Sequence, residues 1–192
     1  PTEVLAANVR AEYGYKNSTQ LVGNVSGTAG KLFASFGGGW FHDDGISSAA
    51  SGTERDGYTH YAANGRTEIA VTDSFTIDLR GYFSKGKLDL DGFPAPAFSF
   101  ADTAEFSRAR QVAGYAGLRF VLNDGAFHNR LSFTLSDINR DNFDPAFGTA
   151  PSFLARGRTE RFEYQGDWTF SPKVRAVFGA EVFVFSELVE AD

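Results

Sequence analysis

The chain has 192 residues, a formal net charge of −6, a mean hydropathy of −0.24 and no cysteine. That length fits one ordinary domain. The acidic balance, with no basic stripe, argues against nucleic acid as a partner, and the lack of a long apolar run excludes a transmembrane helix. Twenty phenylalanines and 21 glycines, with aromatic residues at 15%, are an unusual pairing for a soluble domain. A barrel wall escapes the hydropathy mean, because half of each strand faces a polar interior. The opening Pro1-Thr2-Glu3 carries neither Met nor an apolar leader, so the sequence reads as a piece of a longer protein, cut at both ends.

Period-two alternation predicts nine strands. The first sets Leu5, Ala7, Val9, Ala11 and Tyr13 against Ala6, Asn8, Arg10 and Glu12. The second sets Leu21 and Val25 against Gln20, Asn24 and Ser26, and the third presents Leu32, Ala34, Phe36, Gly38 and Trp40. The fourth sets Tyr61, Ala63, Gly65, Thr67, Ile69 and Val71 against His60, Asn64, Arg66 and Glu68. The fifth is the clearest, Phe75, Ile77, Leu79, Gly81 and Phe83 alternating with Thr76, Asp78, Arg80, Tyr82 and Ser84. The sixth shows Val112, Ala116, Leu118, Phe120 and Leu122, the seventh Leu131, Phe133 and Leu135. The eighth shows Phe162, Tyr164, Gly166, Trp168 and Phe170, the ninth Val174, Ala176, Phe178, Ala180, Val182 and Val184.

Each segment spans roughly 9–12 residues, the length of a tilted strand that crosses a bilayer, whereas soluble strands are nearer 5–6. Gly38, Gly65, Gly81 and Ala176 interrupt the apolar faces where a packed core would want larger groups. Aromatic residues gather near strand ends, as at Tyr13, Tyr15, Trp40, Phe41, Tyr58, Tyr61, Trp168 and Phe170, in the manner of interfacial girdles. The linkers alternate in length. Asp43–Gly57, Gly86–Ala109 and Asp141–Arg158 are long; Thr28–Lys31, Thr72–Ser74, Asn123–Ala126 and Ser171–Lys173 are short. Alternation by itself suits a soluble sheet with one wet face equally well. Strand length, loop parity and aromatic placement select an all-β, transmembrane antiparallel β-barrel, with residues 1–192 a part of the barrel domain made of about nine meander strands.

Two loop blocks carry a family resemblance. The first is His42-Asp43-Asp44-Gly45-Ile46-Ser47-Ser48-Ala49-Ala50, followed by Glu54-Arg55-Asp56-Gly57-Tyr58. The second is Asp89-Leu90-Asp91-Gly92-Phe93-Pro94, then Ala101-Asp102-Thr103 and Arg110-Gln111. In order and spacing they resemble TonB-dependent outer-membrane receptors, closest to the cobalamin-receptor-like branch. The resemblance implies an outer-membrane location in a Gram-negative bacterium and a 22-strand barrel around an N-terminal plug. It implies a scarce, bulky nutrient, cobalamin or an iron-siderophore chelate, as cargo, and energy delivered by the TonB complex through the plug. Plug, coupling box and more than half of the barrel strands are not in this sequence, which corresponds to the early barrel wall. Outer-membrane lipid, the nutrient and the TonB complex are the implied partners.

The long loops concentrate carboxylates, and calcium takes 6–8 oxygen ligands at adaptable geometry. Receptors of the cobalamin type order these loops with calcium, so the resemblance points to Glu54, Asp56, Asp91 and Asp102 as metal ligands, with Asp44 a further candidate. The other face of the strands carries charges of both signs, Arg66, Glu68, Asp78, Arg80, Arg119, Arg161, Glu163 and Glu181 among them, which suits a hydrated interior or a wall that holds a plug. His42, His60 and His128 are too scattered for a zinc-type pair, and no Gly-x-Ser-x-Gly turn is present. No catalytic residue is assigned, and a non-enzymatic protein is expected. The rival readings are a passive porin-like channel and a soluble β-sandwich binding module.

Overall fold

Nine strands follow one another in a computed structural model that describes residues 4–50 and 52–191; Pro1, Thr2, Glu3, Ser51 and Asp192 lie outside the described residues. They are β1 (Val4–Tyr13), β2 (Thr19–Ala29), β3 (Leu32–Asp43), β4 (Tyr58–Thr72), β5 (Phe75–Gly92), β6 (Ala101–Leu122), β7 (Phe127–Phe143), β8 (Pro151–Ser171) and β9 (Val174–Ala191). All belong to one sheet in the order β1-β2-β3-β4-β5-β6-β7-β8-β9, each pair antiparallel. The sheet is open. Among the described residues no second sheet packs on it, which overturns the β-sandwich alternative. Leu79, Phe162 and Phe178, which a sandwich would bury, are 44%, 55% and 45% exposed.

Two expectations about length are corrected. Strands from β5 to β9 run to 17–22 residues rather than 9–12. The supposed long loops Gly86–Ala109 and Asp141–Arg158 are mostly hairpin, so that only residues 93–100 and 144–150 lie between strands there. The backbone amides that a loop would leave to water are instead paired in the ladder. Residues 44–57 remain a true loop. The parity holds: residues 14–18, 44–57, 93–100 and 144–150 gather at one end, hereafter the loop end. The tight connections sit at the other, the turn end, and there the sequence supplies residues that tolerate positive φ. Gly30 has φ 58°, and Asn123 and Asp124 both have φ 53°.

Pleating divides the sheet into an apolar and a polar face. On the apolar face the uncharged run is Leu5–Tyr13 on β1, Leu21–Ala29 on β2, Leu32–Trp40 on β3 and Tyr61–Val71 on β4. It is Phe75–Phe83 on β5, Val112–Leu122 on β6, Phe127–Leu135 on β7, Phe162–Phe170 on β8 and Val174–Val184 on β9. These segments are 9 to 11 residues long whatever the length of their strand, and uncharged residues continue beyond them toward the loop end at Thr19 on β2, Thr59 on β4, and Ser186 and Leu188 on β9. Asn129, within the β7 run, is 5% exposed and satisfied locally: Tyr164 Oη donates to it at 2.6 Å and its amide donates to Phe127 O.

This belt does not follow the hydrogen-bonded register. The row through Leu5 continues as Gly27, Ala34, Thr67, Leu79, Ala116, Phe133 and Phe162. Leu5 is the turn-end limit of the described run on β1, while Phe162 is the loop-end limit on β8. The belt thus slides eight residues, Tyr13 to Leu5, over the seven steps from β1 to β8. With about 3.3 Å per residue and 4.8 Å between strands, a level belt requires the strands to incline by roughly 35–40°. At that inclination its height is roughly 20–26 Å.

Candidate functional site

Loop 44–57 is pinned between its neighbours. Asp44 N–H donates to Lys16 O at 2.9 Å, tying the loop to the β1–β2 connection, and Asp89 N–H donates to Gly57 O at 2.9 Å, tying it to β5. Gly45 adopts φ 69° and packs against the Asp56 carbonyl, an approach that a Cβ would block. Ala49 is 4% exposed, the apolar anchor of the loop.

The carboxylates named from sequence act here as acceptors for loop amides. Asp56 Oδ2 accepts from Ser48 N–H at 2.6 Å and Ser48 Oγ at 2.5 Å. Asp91 Oδ2 accepts from Ala49 N–H at 2.7 Å, while its Oδ1 is buried with no partner. Asp102 Oδ2 accepts from Thr53 N–H at 2.6 Å and Glu54 N–H at 2.9 Å, and its Oδ1 from Ser47 Oγ at 2.9 Å. Those two backbone N–H groups hold the Asp102 carboxyl below the usual range for aspartate. Glu54 is pushed the other way, first by partial loss of solvent and then by the charges of Asp102, Asp91, Asp56 and Asp89.

Asp44 is set apart from this group. It accepts from Arg55 Nη1 at 2.7 Å and Asn17 Nδ2 at 2.9 Å, and lies 3.1 Å from His42 Nε2. Loss of solvent raises its pKa, but the hydrogen bonds from His42 and Asn17 and the Arg55 charge outweigh that and leave it lowered. The structure therefore brings four of the five predicted residues, Glu54, Asp56, Asp91 and Asp102, around one docked loop and places the fifth in a separate ion pair. Among the described residues no group of three or more His, Asp or Glu side chains is already gathered as a metal cluster. Sequence reasoning missed Ser47, Ser48 and Ala49, whose amides and hydroxyls occupy the carboxylates. The two serines stood in the first loop block, but nothing in their spacing reveals which residues they meet.

The polar face has two regions. Over β4–β9 an acidic row, Glu68, Asp78, Glu163 and Glu181, lies between rows that hold Arg66, Arg80 and Arg161 on one side and Arg119 and Arg130 on the other. The contacts follow: Arg80 to Asp78 at 2.6 Å, Arg66 to Glu68 at 2.8 Å, Arg119 to Glu68 at 2.7 Å, Arg161 to Glu181 at 2.8 Å, and Glu163 with both Arg130 and Arg161. Asp78 is 4% exposed and takes both Arg80 and Arg66, so its charge is buried but paired. Over β2, β3 from Phe33 to Phe41 and the loop-end part of β4 from His60 to Asn64, the face carries no Asp, Glu, Lys or Arg. A groove of about 580 Å³ there is lined by Gln20, Asn24, Ser35, His60 and Asn64 around Gly37 and Gly39.

No known protein-family model matches the chain.

Proposed function

We propose that the chain is part of the wall of a transmembrane β-barrel in a bacterial outer membrane, in an active-transport receptor for a scarce, bulky nutrient. The observation that carries this reading is the belt: uncharged on all nine strands, at least 9 residues wide on each, and inclined against the register from β1 to β8. A height near 25 Å and a strand tilt of about 35–45° are what outer-membrane barrels use, and a soluble sheet has no reason to keep a level belt. Chains of bilayer lipid would cover the large apolar side chains that stand exposed, and the ion-paired polar face would line the interior.

Two features favour an energised receptor over a passive pore. The loop blocks resemble TonB-dependent receptors of the cobalamin branch. The longest loop, 44–57, is fastened to the β5–β6 hairpin rather than folded over the polar face, where a constricting porin loop would go. Cobalamin or an iron-siderophore chelate is then the cargo, with TonB acting through a plug.

Calcium fits the loop cluster on chemical grounds. The donors are hard oxygens, one Asp91 oxygen is buried without a partner, and Glu54 is crowded by four like charges. Glu54, Asp56, Asp91 and Asp102 would hold the ion, which would neutralise them and fix the loop; Asp44, already paired, stays outside. The deciding experiment is uptake of labelled cobalamin and ferric chelates by cells with and without the parent gene, before and after an uncoupler. Gene-dependent uptake that the uncoupler abolishes is expected; uptake indifferent to the uncoupler would establish a passive channel instead.

A further inference from the structure

On β5 and β6 the apolar face changes character in one step. Phe83 and Val112 oppose each other as the last pair of the belt. The next two pairs toward the loop end are Lys85 with Arg110 and Lys87 with Arg108. Four exposed cations thus form a two-by-two block directly above the belt. Like charges placed opposite one another across two strands repel and weaken the pairing.

The block is only partly neutralised from within. Lys87 meets Asp89 at 2.6 Å, and Arg110 stands 3.6 Å from Asp137. Lys85 has no carboxylate within ion-pair distance among the described residues. Arg108 lies over the rings of Phe106 and Phe143, at 4.9 and 5.1 Å; its register partner Asp141 is paired with Arg156 instead. The row neighbours of Lys85 and Arg110 are the neutral Tyr61 and Asn139. The cations of β8 contrast with these: Arg156 and Arg158 pair at 2.5 Å with Asp141 and Glu160.

We propose that Lys85, Lys87, Arg108 and Arg110 form a binding site for the phosphate groups of anionic bilayer lipid. This rests on the membrane reading above and adds to it a chosen lipid class. The position supplies the argument: phosphates of a lipid leaflet lie just outside the hydrocarbon, and the block begins one residue pair beyond Phe83 and Val112. Its span of about 7 Å along the strands by 5 Å across them suits one or two phosphates. Lysine stems can lie along the apolar margin with the ammonium raised to the headgroups, and an arginine fork takes two phosphate oxygens at once.

The test uses the full-length receptor that contains this chain, reconstituted in phosphatidylcholine vesicles, with spin-labelled phosphatidic acid or spin-labelled phosphatidylcholine as the probe. Flotation with the vesicles first establishes insertion. The wild-type receptor is expected to immobilise phosphatidic acid in preference to phosphatidylcholine. Lys85→Gln with Arg110→Gln should lose that preference, and Arg158→Gln should keep it. Where the double variant does not insert, the single variants Lys85→Gln and Arg108→Gln give the same readout. A preference unchanged in inserted variants overturns the lipid site and leaves the membrane reading standing. Inorganic phosphate competing as well as phosphatidic acid at equal concentration overturns the assignment to lipid. Failure of the wild-type receptor to enter vesicles overturns both.

Discussion

Leu5 and Phe162 share one register row yet mark opposite margins of the apolar belt, the first at the turn end of β1 and the second at the loop end of β8. Residues that are level in the hydrogen-bond ladder are therefore at different depths in the belt. Leu79, in the same row on β5, lies at its middle.

Arginine placed along that row measures depth. Leu79→Arg should cost about 2–4 kcal/mol in lipid, while Leu5→Arg and Phe162→Arg should each cost about 0–1 kcal/mol. Denaturant unfolding of the full-length receptor carrying each of the three changes, in vesicles, gives the comparison. Equal costs along the row would mean that the belt is not inclined.

Glycines on the apolar face are not equivalent. A Cβ on Gly166 would stand 2.6 Å from Phe178 Cζ, because the ring of Phe178 lies across that glycine, whereas a Cβ on Gly114 would meet nothing within 4 Å. Gly166→Val should destabilise by about 1–3 kcal/mol through expulsion of the ring. Gly114→Ala should be neutral or stabilising by about 0.5 kcal/mol. Unfolding midpoints of the two variants in the same vesicles decide whether the ring is a structural cover.

The docking of loop 44–57 should depend on pH in two directions. Asp102 has a lowered folded pKa, so its contribution is present above the ordinary value of 3.8 and lost as pH falls through the lower folded one. Glu54 has a raised folded pKa, so its contribution is present below the ordinary value of 4.5 and lost as pH rises through the higher folded one. Hydrogen exchange at the Ala49 and Thr53 amides, corrected for intrinsic rates, reads both. Glu54→Gln should increase protection at neutral pH, and Asp102→Asn should decrease it; the opposite signs would mean that the carboxylates do not hold the loop.

Calcium should act where Glu54 does. Added calcium is expected to protect the same amides at neutral pH, and the double variant Asp56→Asn, Asp91→Asn should lose that response. Calorimetry that finds one calcium affinity for both proteins would remove the cation from the cluster.

The nine strands were legible because apolar and polar residues alternate cleanly within the belt, as at Phe75–Phe83. Their outer halves were not. Beyond Phe83 and Val112 both faces carry charge or small groups, as at Lys85, Lys87, Arg108 and Arg110, and a period of two needs contrast between faces to be visible. The inclination of the belt could not be read at all, since it relates one strand to another and alternation describes each strand alone. At the loop cluster the sequence placed the two acidic segments side by side, correctly, because β4 and β5 share a turn at the far end. It could not disclose that Ser48, Ala49 and Thr53 donate to the aspartates, or that Asp44 turns away to Arg55.

The hairpins β5–β6 and β7–β8 outrun the belt by far more than their neighbours do. β6 continues from Val112 to Ala101 and β8 from Phe162 to Pro151, whereas β3 stops at Asp43, just beyond Trp40. On strands inclined as above each residue climbs roughly 2.6 Å, so one side of the wall overtops the other by about 20 Å. With the belt in a bilayer, the rim is oblique, a parapet on one flank and a low sill on the other. Anything approaching the loop end would then meet the tall hairpins of β5–β8 before the low rim at β1–β3.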